Sequence, residues 1–139
     1  MSDPFVSSRS VSVEWGDCDP ADIVFYPNYF RWFDASTANH FKAAGLPKPE
    51  LIRQFGVVGF PMVDTGATFH RPSKHGDTVT IETRITGFGR SSFSVEHRLT
   101  NDGQLAVEGR EKRVLVRRTE SGGIAACPVP DEVKRFFES

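Results

Sequence analysis

The spacing of apolar positions changes character once along the chain, near residue 57. Ahead of that point, Val11–Trp15 (VSVEW) alternates apolar and polar and predicts a strand. The next stretch, Gly16–Asp22 (GDCDPAD), is loop-like in its Gly, Asp and Pro content. A helical period follows, with Phe30, Phe33, Thr37, Phe41 and Ala44 recurring on one side. Pro27 suits a first helical position and Gly45 suits the residue just past a helix end. Together they predict a helix of about 16 residues, long enough to cross a small sheet. Pro49–Gly56 (PELIRQFG) predicts a further short helical turn.

Beyond residue 57 alternation takes over. Thr78–Phe88 puts Val79, Ile81, Thr83 and Ile85 on one face. Ser92–Thr100 does the same with Phe93, Val95, His97 and Leu99. Thr100–Gly103 (TNDG) is a hairpin signal. Gln104–Arg118 predicts a long strand whose apolar parity shifts between Val107 and Val114, as a bulge near Gly109 would cause. Pro130–Ser139 closes the chain as a short amphipathic helix. A strand, a long helix and then about four antiparallel strands is an α+β order. One helix covers one face of such a sheet. The other face is expected to be apolar and to need a second copy of the chain, which predicts a homo-oligomer.

Composition narrows the field. The chain has 139 residues, enough for one domain spanning 1–139. Hydrophobic residues make up 38% and charged residues 25%, so both a core and a wet surface are available. The net charge of -1 gives no reason to expect nucleic acid or an anionic membrane as partner, and leaves anion recognition to local basic clusters. Cys18 and Cys127 lack metal-type spacing and read as reduced thiols. No apolar run has signal-peptide or membrane-span length. A cytoplasmic protein with no metal and no cofactor is the expectation.

The chemistry concentrates in the acidic loop. Asp17, Asp19 and Asp22 precede a helix N-terminus, whose free N–H groups favour negative charge. On residue type alone, three acids in a turn are a solvated loop. Beside a helix start they are also a carboxylate next to an oxyanion site, the minimum for hydrolysing an acyl group. Cys18 lacks the His partner that a thiol nucleophile needs. His97, on an apolar strand face, reads as a core or interface histidine. His40, near the helix end, reads as a cation suited to the dipole there.

The stretch GDCDPADIVFYPNYFRWFDA, through Cys18, Asp19, Ile23, Val24, Tyr26, Asn28 and Tyr29, resembles the 4-hydroxybenzoyl-CoA thioesterase family of hotdog-fold proteins. A weaker similarity runs through Arg90–Phe93 (RSSF). The resemblance implies a hotdog, one long helix wrapped by a curled antiparallel sheet, in a dimer or a tetramer of two dimers. It implies hydrolysis of an aromatic acyl-CoA, with 4-hydroxybenzoyl-CoA as the expected substrate. Asp19 is then the catalytic carboxylate, as nucleophile or as general base, and the Tyr26 amide is the oxyanion donor. Asp34 falls where the family accepts the ring hydroxyl, with Phe25, Phe60 and Pro61 as further acyl-site residues. Arg90, Ser91 and Ser92 are the expected coenzyme A contacts, and Arg71 and Lys74 supplement a thinned basic cluster. Asp22 stands where the family usually has Gly. Two other readings stay open: a short-chain or phenylacetyl-type acyl-CoA thioesterase, and a non-catalytic acyl-CoA binding or sensor module.

Overall fold

A computed structural model describes residues 4–138. Pro27 and Gly45 bound the long helix as expected. Helix α1 (Pro27–Ala43) starts immediately after Tyr26, and Gly45 takes the left-handed φ of 93° that lets the chain turn away. Five antiparallel strands curl against α1: β1 (Val6–Ser12), β2 (Met62–Phe69), β3 (Thr78–Phe88), β4 (Ser92–Asn101) and β5 (Gln104–Val114). Their order in the sheet is β1-β3-β4-β5-β2. Asp102 (φ 52°) and Gly103 (φ 75°) form the tight β4–β5 turn, both left-handed as such a hairpin requires. Helix α2 (Lys48–Phe55), the hairpin of β6 (Val116–Arg118) with β7 (Ile124–Ala126), and helix α3 (Asp131–Arg135) complete the fold.

Four expectations need correction. The first strand lies earlier than Val11–Trp15. Trp15 belongs instead to a 3-10 turn at Trp15–Asp17 and is 70% exposed. The bulge is not at Gly109, which pairs regularly with His97. The register slips at Ala106, between Leu99↔Val107 and Thr100↔Leu105. The apparent parity change has another cause: after Val107 the inward positions are Gly109, Glu111 and Arg113, all buried. Gly109 is required there, because a Cβ would lie 2.5 Å from the Phe33 ring.

The outer sheet face, third, is not apolar. Thr80, Glu82, Arg84, Ser94, Glu96, Arg98, Arg110 and Lys112 point away from α1, and Arg98 pairs with Glu108 at 3.2 Å. Such a face is at ease in water. Exposed apolar side chains gather instead on edge strand β2 (Met62, Val63, Phe69) and beside the helix start (Ile23, Phe25, Tyr26). Fourth, His40 is no surface cation. It is 1% exposed, packed between Phe5 and Phe137, and burial lowers its pKa to about 4, with His97 adding a smaller push.

The core is two apolar clusters separated by a polar layer. One gathers Tyr29, Trp32 and Phe33 over Val79, Ile81, Leu99 and Val107; the other gathers Phe41 and Phe60 over Ile85, Phe93 and Val95. Between them lie Thr37 on α1, Thr83 on β3, His97 on β4, and Glu111 and Arg113 on β5, all buried. His97 therefore is a core histidine, with Phe33 stacked on it at 4.8 Å. Its Nδ1 lies 2.8 Å from the Thr83 hydroxyl and its Nε2 3.1 Å from Glu111 Oε2.

Candidate active site

The acidic loop is a small hairpin that leads into α1. The Asp19 amide donates to the Ile23 carbonyl at 2.9 Å, Cys18 bridges Val24, and the Phe25 amide donates to the Asp17 carbonyl at 2.8 Å. Tyr26 and the helix follow directly. Residue types set the local fold: Pro27 can start a helix but has no N–H. The Asn28 and Tyr29 amides are already bonded to the carbonyls of Phe25 and Tyr26. The Tyr26 amide finds no acceptor among the described residues. It is thus the donor left over at the positive end of the helix.

The three acids differ in employment. Asp17 is a brace: its carboxylate accepts the Glu14 amide at 2.9 Å and pairs with Arg31 at 3.1 Å. Its carbonyl holds both the Phe25 amide and the Asn28 side chain. Asp22 is exposed and left-handed, with φ 64°. That backbone explains why glycine suits the position, and why Asp, which tolerates it better than most residues, can replace it. Asp19 is half-buried. Its Oδ1 accepts the Ala21 amide at 2.8 Å, which fixes the side chain and leaves Oδ2 with no bond among the described residues. It faces a depression of about 240 Å³ lined also by Trp15, Cys18, Pro20 and Asp22. A fixed carboxylate with a free oxygen can attack an acyl carbon or take a proton from water.

Beside it, at the start of α1, is an apolar cleft of about 330 Å³ walled by Ile23, Tyr26, Tyr29, Phe69 and Arg71. The Val24 amide bonds the Ser73 carbonyl, which brings the loop carrying Arg71 and Lys74 to this end of the molecule. Phe25 is half exposed and edge-on to Tyr26. Arg90, Ser91 and Ser92 are elsewhere, in the β3–β4 turn, and the Arg90 and Ser91 carbonyls hold Val129 and Leu115. Strand β3 runs its full length between them and the Arg71–Lys74 loop, roughly 30 Å at ~3.4 Å per residue. One chain does not bring the two basic groups together.

Asp34 is not a lone carboxylate in an apolar stripe. Its side chain is 67% exposed, and Oδ1 accepts Arg113 Nη2 at 2.7 Å. Arg113 also donates Nε to Glu111 Oε1 at 2.8 Å and Nη1 to the Phe60 carbonyl at 3.3 Å. Burial by itself would lower the Arg113 pKa, but Glu111 and Asp34 outweigh it and hold the pKa up. Burial likewise works to raise the Glu111 pKa, yet His97, Arg113 and Thr37 hold it below the ordinary value. Phe60 is a core residue rather than a pocket wall: it is 5% exposed and stacks on Phe41 at 4.6 Å. Pro61 next to it is exposed. Arg113 and Glu111 escape a sequence reading because they are charged at inward positions. The available signal is that the alternation from Val107 continues unbroken through 109, 111 and 113. Among the described residues no His, Cys, Asp and Glu group is placed to hold a metal ion.

Known proteins share this arrangement. A profile of the thioesterase-like superfamily matches residues 13–137. The 4-hydroxybenzoyl-CoA thioesterase of Pseudomonas sp. (strain CBS-3) is 41% identical over 109 residues, covering 74% of this chain and 77% of that protein. Its three-dimensional structure superposes with a TM-score of 0.88 at 35% identity, over 95% of this chain and 99% of that one. The structure of a gentisyl-coenzyme A thioesterase gives 0.80 at 35% identity, over 94% and 98%. The chain belongs to the thioesterase-like superfamily and is a hotdog-fold acyl-CoA thioesterase.

Proposed function

We propose that the substrate is 4-hydroxybenzoyl-CoA or a close hydroxyaryl analogue, hydrolysed to the free acid and coenzyme A by a single domain spanning 1–139. The observation that carries this reading is the spacing along α1 from Tyr26 to Asp34. Two helical turns separate them, ~12 Å along the axis. A para-hydroxybenzoyl group with a hydrogen bond at each end reaches roughly 10–12 Å. The thioester oxygen then takes the Tyr26 amide while the ring hydroxyl donates to Asp34. Phe25 and Pro61 flank the ring. Asp19 supplies the attack, as nucleophile or as base to water. A short aliphatic acyl group cannot reach Asp34, and both relatives named above carry a ring hydroxyl in their acyl group. A carboxylate with a free oxygen beside the thioester favours catalysis over a mere acyl-CoA sensor, since binding alone gains nothing from it.

Arg71 and Lys74 reach the coenzyme A phosphates from the same chain. Arg90, Ser91 and Ser92 do so only from a second copy, which is one reason to read a homo-oligomer, a dimer or a tetramer of two dimers. The exposed apolar groups on edge strand β2 are another, because an unpaired apolar edge invites a partner strand. The free thiols Cys18 and Cys127 fit a cytoplasmic location. Steady-state hydrolysis of 4-hydroxybenzoyl-, benzoyl-, phenylacetyl- and butyryl-CoA tests the substrate. The first should exceed the second in kcat/KM by at least about tenfold. A higher value for butyryl- or phenylacetyl-CoA refutes the ring reading, and binding without turnover of any of them establishes the sensor.

A further inference from the structure

Asp34 is two-thirds exposed, and an exposed carboxylate swings freely in water. This one does not stand alone. Its Oδ1 receives Arg113 Nη2 at 2.7 Å, and Arg113 is itself fixed on two other sides by Glu111 and the Phe60 carbonyl. Glu111 in turn is held by the Thr37 hydroxyl at 2.7 Å and by His97 at 3.1 Å, deep between the two apolar clusters. The Arg113 guanidinium also sits 5.5 Å over the Phe60 ring. A chain of polar groups thus runs from the middle of the core to one surface oxygen. A core has little use for such a chain, since well-packed apolar residues serve stability as well or better.

We propose that Arg113, braced by Glu111 and His97, is a positioning residue for substrate selection. It holds Asp34 in one rotamer, anionic, with Oδ2 turned out as the acceptor for a ring hydroxyl. This inference rests on the reading that Asp34 meets that hydroxyl. It explains how an exposed side chain achieves the discrimination expected of a buried one: the rigidity is imported from the core. It also sets the kind of group accepted at the ring's far end. A hydroxyl donor is matched, whereas a carboxylate substituent meets a second fixed negative charge and is rejected.

The experiment compares kcat/KM for 4-hydroxybenzoyl-CoA and benzoyl-CoA in wild type, Asp34→Ala, Arg113→Lys and the two combined. A lysine keeps the charge but loses the guanidinium fork. Arg113→Lys should cut the preference for the hydroxylated substrate by roughly a factor of ten, the loss falling more heavily on that substrate. In the Asp34→Ala background it should change the preference no further, because both act through one contact. Should Arg113→Lys fold poorly, the paired Glu111→Met/Arg113→Met variant replaces the buried ion pair by apolar groups of similar length, and the same loss of preference is expected of it. If Asp34→Ala lowers the preference while folded Arg113 variants retain it, or lose both substrates alike, the positioning role is overturned and the hydroxyl contact stands. If Asp34→Ala leaves the preference intact, both ideas fall together.

Discussion

Replacing Asp19 by Asn is the most direct test of the acidic loop, because the structure separates what the substitution keeps from what it removes. An Asn Oδ1 still accepts the Ala21 amide, so the turn at 19–22 and the bridge between Cys18 and Val24 persist. What disappears is the negative charge on the free oxygen. Losing a positioned carboxylate costs about 10²–10⁴ in rate, which corresponds to about 3–5 kcal/mol of barrier. The neighbouring acids predict different numbers. Asp17→Asn loses its ion pair with Arg31, but Arg31 is 64% exposed, so screening limits the loss to at most about 1 kcal/mol of stability. The bond from the Glu14 amide survives on the new amide oxygen. Asp22→Gly relieves a left-handed backbone and should gain about 1 kcal/mol. Release of the coenzyme A thiol, followed with a thiol-reactive chromophore, reads the rate; the urea midpoint reads the stability. If Asp17→Asn and Asp19→Asn lose activity equally while both remain folded, the loop is a structural brace and the assignment of Asp19 is refuted.

Three further outcomes follow from particular groups. His40 is buried with a folded pKa of about 4 against an ordinary 6.5; the unfolded chain therefore binds its proton first, so stability is full above pH 6.5 and falls by about 3 kcal/mol as pH drops toward 4. In His40→Gln, which can keep the bond to Ser7, that part of the pH dependence of the urea midpoint should vanish. Arg71→Ala and Lys74→Ala should raise KM for acyl-CoA with little change in kcat, since phosphates are held alike in ground and transition states; a KM unmoved by both would leave the phosphates to Arg90 alone. The exposed β2 edge predicts a dimer or larger species in sedimentation at micromolar concentration, and a clean monomer would contradict it.

How much of this is legible beforehand depends on whether burial follows apolarity. It does on β3 and β4, where Val79, Ile81, Ile85, Phe93, Val95 and Leu99 alternate inward, and the turn at Asp102–Gly103 and the bounds of α1 are set by local chemistry. It does not on β2, whose pattern is blurred because an edge strand exposes most of its side chains. His40 reads as a helix-end cation because the groups that bury it, Phe5 and Phe137, come from opposite ends of the chain. Asp19 and Tyr26 are close in sequence, so their juxtaposition is visible in a short motif. The partner of Asp34 is 79 residues away, and nothing local announces it.

The inward run Gly109, Glu111, Arg113 bears on how the chain finds its fold. From Glu108 to Arg113 neither face of β5 carries an apolar side chain. Hydrophobic collapse alone therefore cannot tell the native pairing of this half-strand from one slipped by a residue, although a slip exchanges its two faces. Slipped, the strand would bury Arg110 and Lys112 against α1 and turn Glu111 away from Thr37. The native alignment is recognised by charge, and only once α1 is in place to present Thr37 and Asp34. Docking of the helix should thus precede the final zipping of β5, and Glu111→Gln should slow refolding rather than merely hasten unfolding.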